Sequence, residues 1–232
     1  TLILLRFVRP NFKYPWMLSA GGATLALIGI FLWQIRLPQS ISLPPWQPVT
    51  IFFFSPTWLA DVISWPYALS LAALAAAVIW TSVVRAENDP ATWAGTLLLT
   101  ALGILAVAAE NPLTLILVWS AIDLAELITM LRSTEGEKQS QGVVIAFAAR
   151  LAGTGLVLWA NLVSTAGGLL MNFRSIPPGA GTYLLIAVGL RLGVLPLHLP
   201  YLKENVLRRG FGTTLRLVSA AASPSLLARI PA

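Results

Sequence analysis

The apolar stretch ILVWSAIDLAELITML, residues 116–131, carries two carboxylates, Asp123 and Glu126, near its middle. Three residues apart on a helix, they project from neighbouring positions of one face. Inside a bilayer each such group costs roughly 2.5–3.5 kcal/mol on insertion scales, so it marks either a pathway or a pairing site. Two carboxylates side by side in a low dielectric favour a state in which one holds a proton, which is the chemistry of a proton relay. Alternatively each acid pairs with Arg150 or Arg191 on another helix as a buried structural bridge. Arg191 is a fixed charge in either case, because a guanidinium scarcely releases its proton. His198, the only histidine, stands between Pro196 and Pro200 in RLGVLPLHLPYL. Prolines so placed free backbone carbonyls, as in the broken helices that line transporter cavities, and an imidazole there can exchange protons near neutral pH. The same residue also reads as an interfacial histidine at a kinked helix end. Asp61, at the start of an apolar run, is a proton-path residue or an interfacial helix cap.

The elements that carry these groups must be membrane helices. Hydrophobic residues make up 57% of the 232-residue chain, charged residues 10%, and the mean hydropathy is +0.79, whereas a soluble domain is roughly 25% charged. The expected fold class is all-α, a polytopic transmembrane helix bundle whose first partner is the lipid bilayer. The pI near 10.3 comes from basic residues scattered between apolar segments, a pattern of membrane topology and not of nucleic-acid binding. With no cysteine and one histidine, thiolate sites, disulfides and multi-histidine metal or haem sites are excluded. Neither phosphate-binding loops nor a nucleophile elbow is present. No catalytic residue, cofactor or metal is therefore expected. Aromatic residues cluster at helix ends and read as an interfacial belt.

Spans of about 20 apolar residues fall at about Met17 to Trp33, Val62 to Val84, Ala91 to Ala109, Leu113 to Leu131, Val143 to Val163 and Thr182 to Leu202. A less regular stretch, TTLRLVSAAASPSLLARI, makes a seventh, so six to seven spans are expected. Residues 1–58 form one unit, the first span plus a Pro/Trp-rich interfacial loop, and residues 59–232 form the main bundle. The turn AENP joins the third and fourth spans.

Positive charge gives the orientation. Arg6, Arg9, Lys13, Arg85, Arg132, Lys138, Lys203, Arg208 and Arg209 collect on one side, against Arg36, Arg174 and Arg229 on the other, while Arg150, Arg191 and Arg216 fall within spans. This bias places residues 6–13 in the cytoplasm and AENP outside.

From Asp61 onward the chain resembles the antiporter-like, proton-translocating membrane subunits of respiratory complex I and the Mrp-type cation/proton antiporters. LADVISWPYALSLAALAAAVIW is similar to that family's Asp-Gly-Leu-Ser span start, with Asp61 at its acid. AENPLTLILVWSAIDL is similar to its acid-Asn-Leu-Leu and Trp-Glu segment, AFAARLAGTGLVL to the following span, and GLRLGVLPLHLPYLKE to its Lys-containing span ending in Pro-x-His-x-Trp-Leu-Pro. The resemblance covers about 170 residues and the family's first repeat only, so the chain reads as truncated, a fragment or a reduced paralogue. It implies a bacterial-type cytoplasmic (inner) membrane, other membrane subunits as partners, and a midplane proton path pairing a Glu with a Lys. The family's Glu position is Ser120, its Lys position is Arg191, and the last stretch lacks the family's mid-membrane His, although His198 matches another.

Two functions follow. In a proton-conducting subunit of a complex-I-like or Mrp-like assembly, Asp123 and Glu126 replace the missing Glu, Arg191 tunes them, Arg150 and Asp61 flank the path, and His198 delivers protons. In a structural or accessory subunit of a respiratory or photosynthetic complex, the same groups form buried ion pairs. A stand-alone oligomeric transporter is the third reading, and one repeat alone does not supply both halves of alternating access.

Overall fold

The computed structural model describes residues 15–45, 55–82, 90–133, 137–194, 214, 218 and 221–230. The expected cytoplasmic segment 6–13, Arg85, His198, Lys203, Arg208, Arg209 and Arg216 lie outside them. The described chain runs α1 (Pro15–Trp33), a 3-10 turn (Gln34–Arg36), β1 (Gln39–Ser42), β2 (Thr57–Ala60), α2 (Ser64–Ser82), α3 (Pro90–Val107), α4 (Pro112–Ser133), α5 (Glu137–Ala166) and α6 (Pro178–Leu192). Residues 221–227 are again helical. The chain is a helical membrane protein: Trp16–Arg36, Ser64–Thr81 and Gln141–Ala166 are each long and apolar enough to cross a bilayer, and Trp93–Val107 and Pro178–Leu192 are shorter apolar helices.

Proline and short polar side chains set several helix starts. Pro90, Pro112 and Pro178 each open a helix, where the missing N–H is no loss and the fixed φ suits the first turn. Asn111 caps α4: its Oδ1 accepts from the Thr114 backbone N–H at 2.9 Å and from the Thr114 hydroxyl at 2.8 Å. Asp61 and Ser64 form a reciprocal box at the start of α2, with the Ser64 N–H donating to Asp61 Oδ1 at 2.8 Å and the Asp61 N–H to Ser64 Oγ at 2.9 Å. Such a box satisfies two of the helix's orphan donors.

Two boundaries differ from the sequence expectation. Helix α5 is 30 residues long and begins at Glu137, six residues before the expected start at Val143, because Glu, Lys and Gln sustain a helix well. Helix α6 begins at Pro178 and stops at Leu192, ten residues before the expected end. Gly193 adopts φ +73°, and the Val194 and Gly193 N–H groups donate back to the Gly189 and Leu190 carbonyls at 3.0 and 3.3 Å. This is a Schellman stop, which a side chain other than glycine would strain. The stretch expected to be an interfacial loop holds a two-stranded antiparallel sheet, with Gln39 opposite Ala60 and Ser42 opposite Thr57.

That sheet closes one end of the bundle. The Leu59 N–H donates to the Ala108 carbonyl at 2.7 Å, the Glu110 N–H to the Thr57 carbonyl at 3.0 Å and the Phe173 N–H to the Glu110 carbonyl at 2.9 Å. The end of α3, the start of α4 and the loop before α6 are thereby tied to β2, and the other end of each helix points away from this cap. The main core lies between α2 and the later helices, around Leu71, Leu99, Leu115, Trp119, Val157 and Leu184. Helix α1 packs on α2 through Ala23 against Ala76 and Ile79, and Ile30 against Ala68 and Ala72.

Small residues set helix spacing where lipid gives no hydrophobic drive. A Cβ on Gly153 of α5 would stand 3.0 Å from the Ala187 carbonyl oxygen of α6, whereas one on Gly155 would meet nothing within 4 Å. Gly153→Ala is therefore expected to push the helices apart and lower stability by roughly 1–3 kcal/mol, while Gly155→Ala, gaining helix propensity, stabilises by up to about 1 kcal/mol. Thermal unfolding in detergent measures both, and equal midpoints for the two variants would contradict the close approach.

Candidate functional site

Asp123 and Arg191 meet inside the bundle. Asp123 is the twelfth residue of the 22-residue α4 and Arg191 the fourteenth of the 15-residue α6. At 1.5 Å per residue they stand about 16–20 Å from the capped end. Arg191 Nη1 donates to Asp123 Oδ2 at 2.8 Å and Nη2 to Oδ1 at 2.7 Å, a two-pronged fork that is among the stronger charge-assisted contacts. Both residues are buried, 3% and 2% exposed. Charges taken this far from water are tolerated only with good geometry and further partners.

Two further groups surround the guanidinium. It lies over the Trp119 ring, 4.3 Å from the centroid, one turn before Asp123 on the same helix face. Nη2 also reaches the Trp119 carbonyl and Nη1 the Thr154 hydroxyl of α5, both at 3.4 Å. The Thr154 hydroxyl itself donates to the Arg150 carbonyl at 3.3 Å. Gly153, next to Thr154, admits α5 close enough for this contact. The position of Arg191 in the last turn of α6 also suits a cation, since the carbonyl end of a helix carries partial negative charge.

The second acid takes a different partner. Glu126 of α4 pairs with Arg150 of α5, one turn nearer the uncapped end. Glu126 is buried, and the Arg150 side chain is 21% exposed. The carboxylates that the spacing places side by side thus diverge to separate guanidinium groups, and their mutual crowding is relieved.

Asp61 belongs to neither pair. It sits at the capped end, where the Arg229 Nη1 and Nη2 atoms lie 2.9 Å from its two oxygens. At the same end Arg174 Nε is 2.8 Å from Glu110 Oε1. Burial pushes the Asp61 carboxyl up, but the Ser64 backbone N–H, the Arg229 charge and hydrogen bonds from the Ser64 and Arg229 side chains together hold it below its ordinary value of 3.8. The sign follows: its contribution is full above about pH 4 and disappears as pH falls through the lower folded value. Arg229→Gln should raise the Asp61 titration toward the ordinary range, read by carbon NMR of the carboxyl, and an unmoved titration would remove Arg229 from the account.

Of the six expected path residues, the structure joins Asp123 with Arg191 and Glu126 with Arg150, sets Asp61 apart at the cap, and does not describe His198. Trp119, Thr154 and Arg229 are not among the residues the sequence singles out. In the sequence Trp119 enters only as the tryptophan of the Trp-Glu segment, with no role of its own; it is 0% exposed and mid-helix, and its four-residue spacing from Asp123 is the available signal. Among the described residues no group of three or more His, Cys, Asp or Glu side chains forms a metal site.

No protein-family model and no curated protein matches the chain. A solved structure does: a chain of the membrane-bound sulfane sulfur reductase (MBS), an archaeal respiratory membrane complex, aligns with a TM-score of 0.71 at 18% sequence identity. The two share a fold. The alignment covers 100% of this chain and 39% of that one, so this chain spans well under half of its structural neighbour's length.

Proposed function

We propose that the chain is a membrane subunit of a respiratory-type assembly, complex-I-like or Mrp-like, in which buried ion pairs hold the bundle together. The observation that carries this reading is the Asp123–Arg191 fork, buried inside the bundle where α6 stops, in a fold shared with a chain of an archaeal respiratory membrane complex. Asp123 is held at both oxygens by a group that does not give up its proton, which suits a joint better than a relay. In this reading α1 to α6 and the stretch 213–230 supply six to seven crossings matching the first repeat of the antiporter-like fold. The membrane is of the bacterial cytoplasmic type, with residues 6–13 on the cytoplasmic side and the capped end opposite.

A proton-conducting reading draws support from one observation. Glu126 is buried, yet the side chain of its partner Arg150 is 21% exposed, whereas both members of the first pair are buried. In that reading Glu126 and Asp123 would carry the protons, with His198 as the cytoplasmic donor.

Purification of the native chain from its own membranes in a gentle detergent, followed by intact-mass analysis of what accompanies it, tests the proposal. Co-purifying quinone-oxidoreductase or antiporter subunits are expected; recovery alone or with unrelated proteins overturns it. Proton flux in liposomes then separates the readings, since Glu126→Gln abolishes flux only in the conducting one.

A further inference from the structure

The Asp123–Arg191 pair leaves two strong donors over. Arg191 Nε and Trp119 Nε1 are buried and have no hydrogen-bond partner among the described residues, although Trp119 is 0% and Arg191 3% exposed. Both belong to one stack, with the guanidinium 4.3 Å from the indole centroid. Buried N–H groups are nearly always satisfied, and two orphans in one contact demand an acceptor.

The chemistry of that acceptor is constrained. Arg191 is already neutralised by Asp123, so a further anion would be left with unbalanced charge in a low dielectric. Metal cations are excluded because both groups are donors. The Asp123 carboxylate receives two hydrogen bonds from Arg191, whereas an ionised carboxylate has about four acceptor sites. The leftover Arg191 Nε–H lies on the side of the guanidinium away from this fork, and water is the small neutral species whose two lone pairs can accept from it and from the Trp119 indole.

We propose that Trp119 Nε1–H and Arg191 Nε–H hold an internal water beside the Asp123–Arg191 pair, at the end of α6. A buried water needs two to four polar partners; these two donors meet that requirement. The site is independent of the assembly the chain joins, so its failure leaves the subunit reading untouched.

The test uses the full chain, labelled with 15N-tryptophan, in detergent. The Trp119 indole resonance is identified by its loss in Trp119→Phe, which keeps an aromatic face under Arg191. A cross-peak between that indole N–H and the water resonance is expected. Synchrotron hydroxyl-radical footprinting should also oxidise Trp119 despite its burial, because radicals form from the bound water itself. An indole with no water cross-peak, together with a Trp119 left unoxidised while exposed Trp80 and Trp159 react, overturns the proposal. Cross-relaxation to protein hydrogens alone does the same, since it would assign the acceptor to the chain.

Discussion

Arg191→Met is expected to destabilise the bundle by about 3–5 kcal/mol, because it leaves the Asp123 carboxylate buried without its partner. Methionine nearly fills the volume of the arginine stem, so the loss reports charge and hydrogen bonding more than a cavity. Hydrogen bonds between membrane helices average only about 0.6 kcal/mol, since the unfolded chain in a membrane also finds partners. Thr154→Val, which loses the 3.4 Å contact from Arg191 and the 3.3 Å bond to the Arg150 carbonyl, should therefore fall within about 1 kcal/mol of wild type. Arg191→Lys lies between, as an ammonium keeps the charge but loses the fork. The decisive comparison is the double variant Asp123→Leu/Arg191→Met. Removing both charges together should recover most of the stability, as apolar replacement of a buried pair is often neutral or better. Denaturation in mixed micelles measures all four. A single Arg191→Met variant as stable as wild type would show that the pair holds nothing together.

The second large effect is expected at Trp119. Truncation to alanine removes a fully buried ring and should cost about 3–5 kcal/mol. Burial alone would make leucine a fair substitute, but leucine gives Arg191 no π-face. A desolvated cation–π contact is worth roughly 2 kcal/mol, so Trp119→Leu should remain clearly less stable than Trp119→Phe. If leucine and phenylalanine prove equal, the ring serves as packing only. Together with the Arg191 series, this comparison assigns the energy of the stack to one or the other of its members.

Part of this site is legible in the sequence. Charges inside apolar runs point to Asp123, Glu126, Arg150 and Arg191, and prolines mark the starts of α3 and α4 at Pro90 and Pro112. Pair choice is not readable, because it depends on the depth and azimuth of helices whose order in space the chain does not state. Arg150 and Arg191 are equally available to either acid. The true end of α6 is hidden for a related reason: Gly193 sits inside an apolar run, and only its left-handed backbone shows that the helix stops there. The hairpin is obscured because Gln39–Ser42 pairs with Thr57–Ala60 across an intervening stretch rich in proline. The AENP turn can be read, and Asn111 and Pro112 behave as their types require.

In each described ion pair the chain makes the acid before the base. Asp123 precedes Arg191 by 68 residues, which at about 5–20 residues per second is roughly 3–14 s of ribosome time. Glu126 is released from this interval sooner, because Arg150 arrives on the next helix after 24 residues. During biogenesis α4 and α5 can therefore leave the insertion machinery as a hairpin already neutralised at one pair, while Asp123 waits for α6. The late arrival of Arg191 makes α6 the latch of the assembly order, and nascent chains arrested before it should remain bound to the insertase.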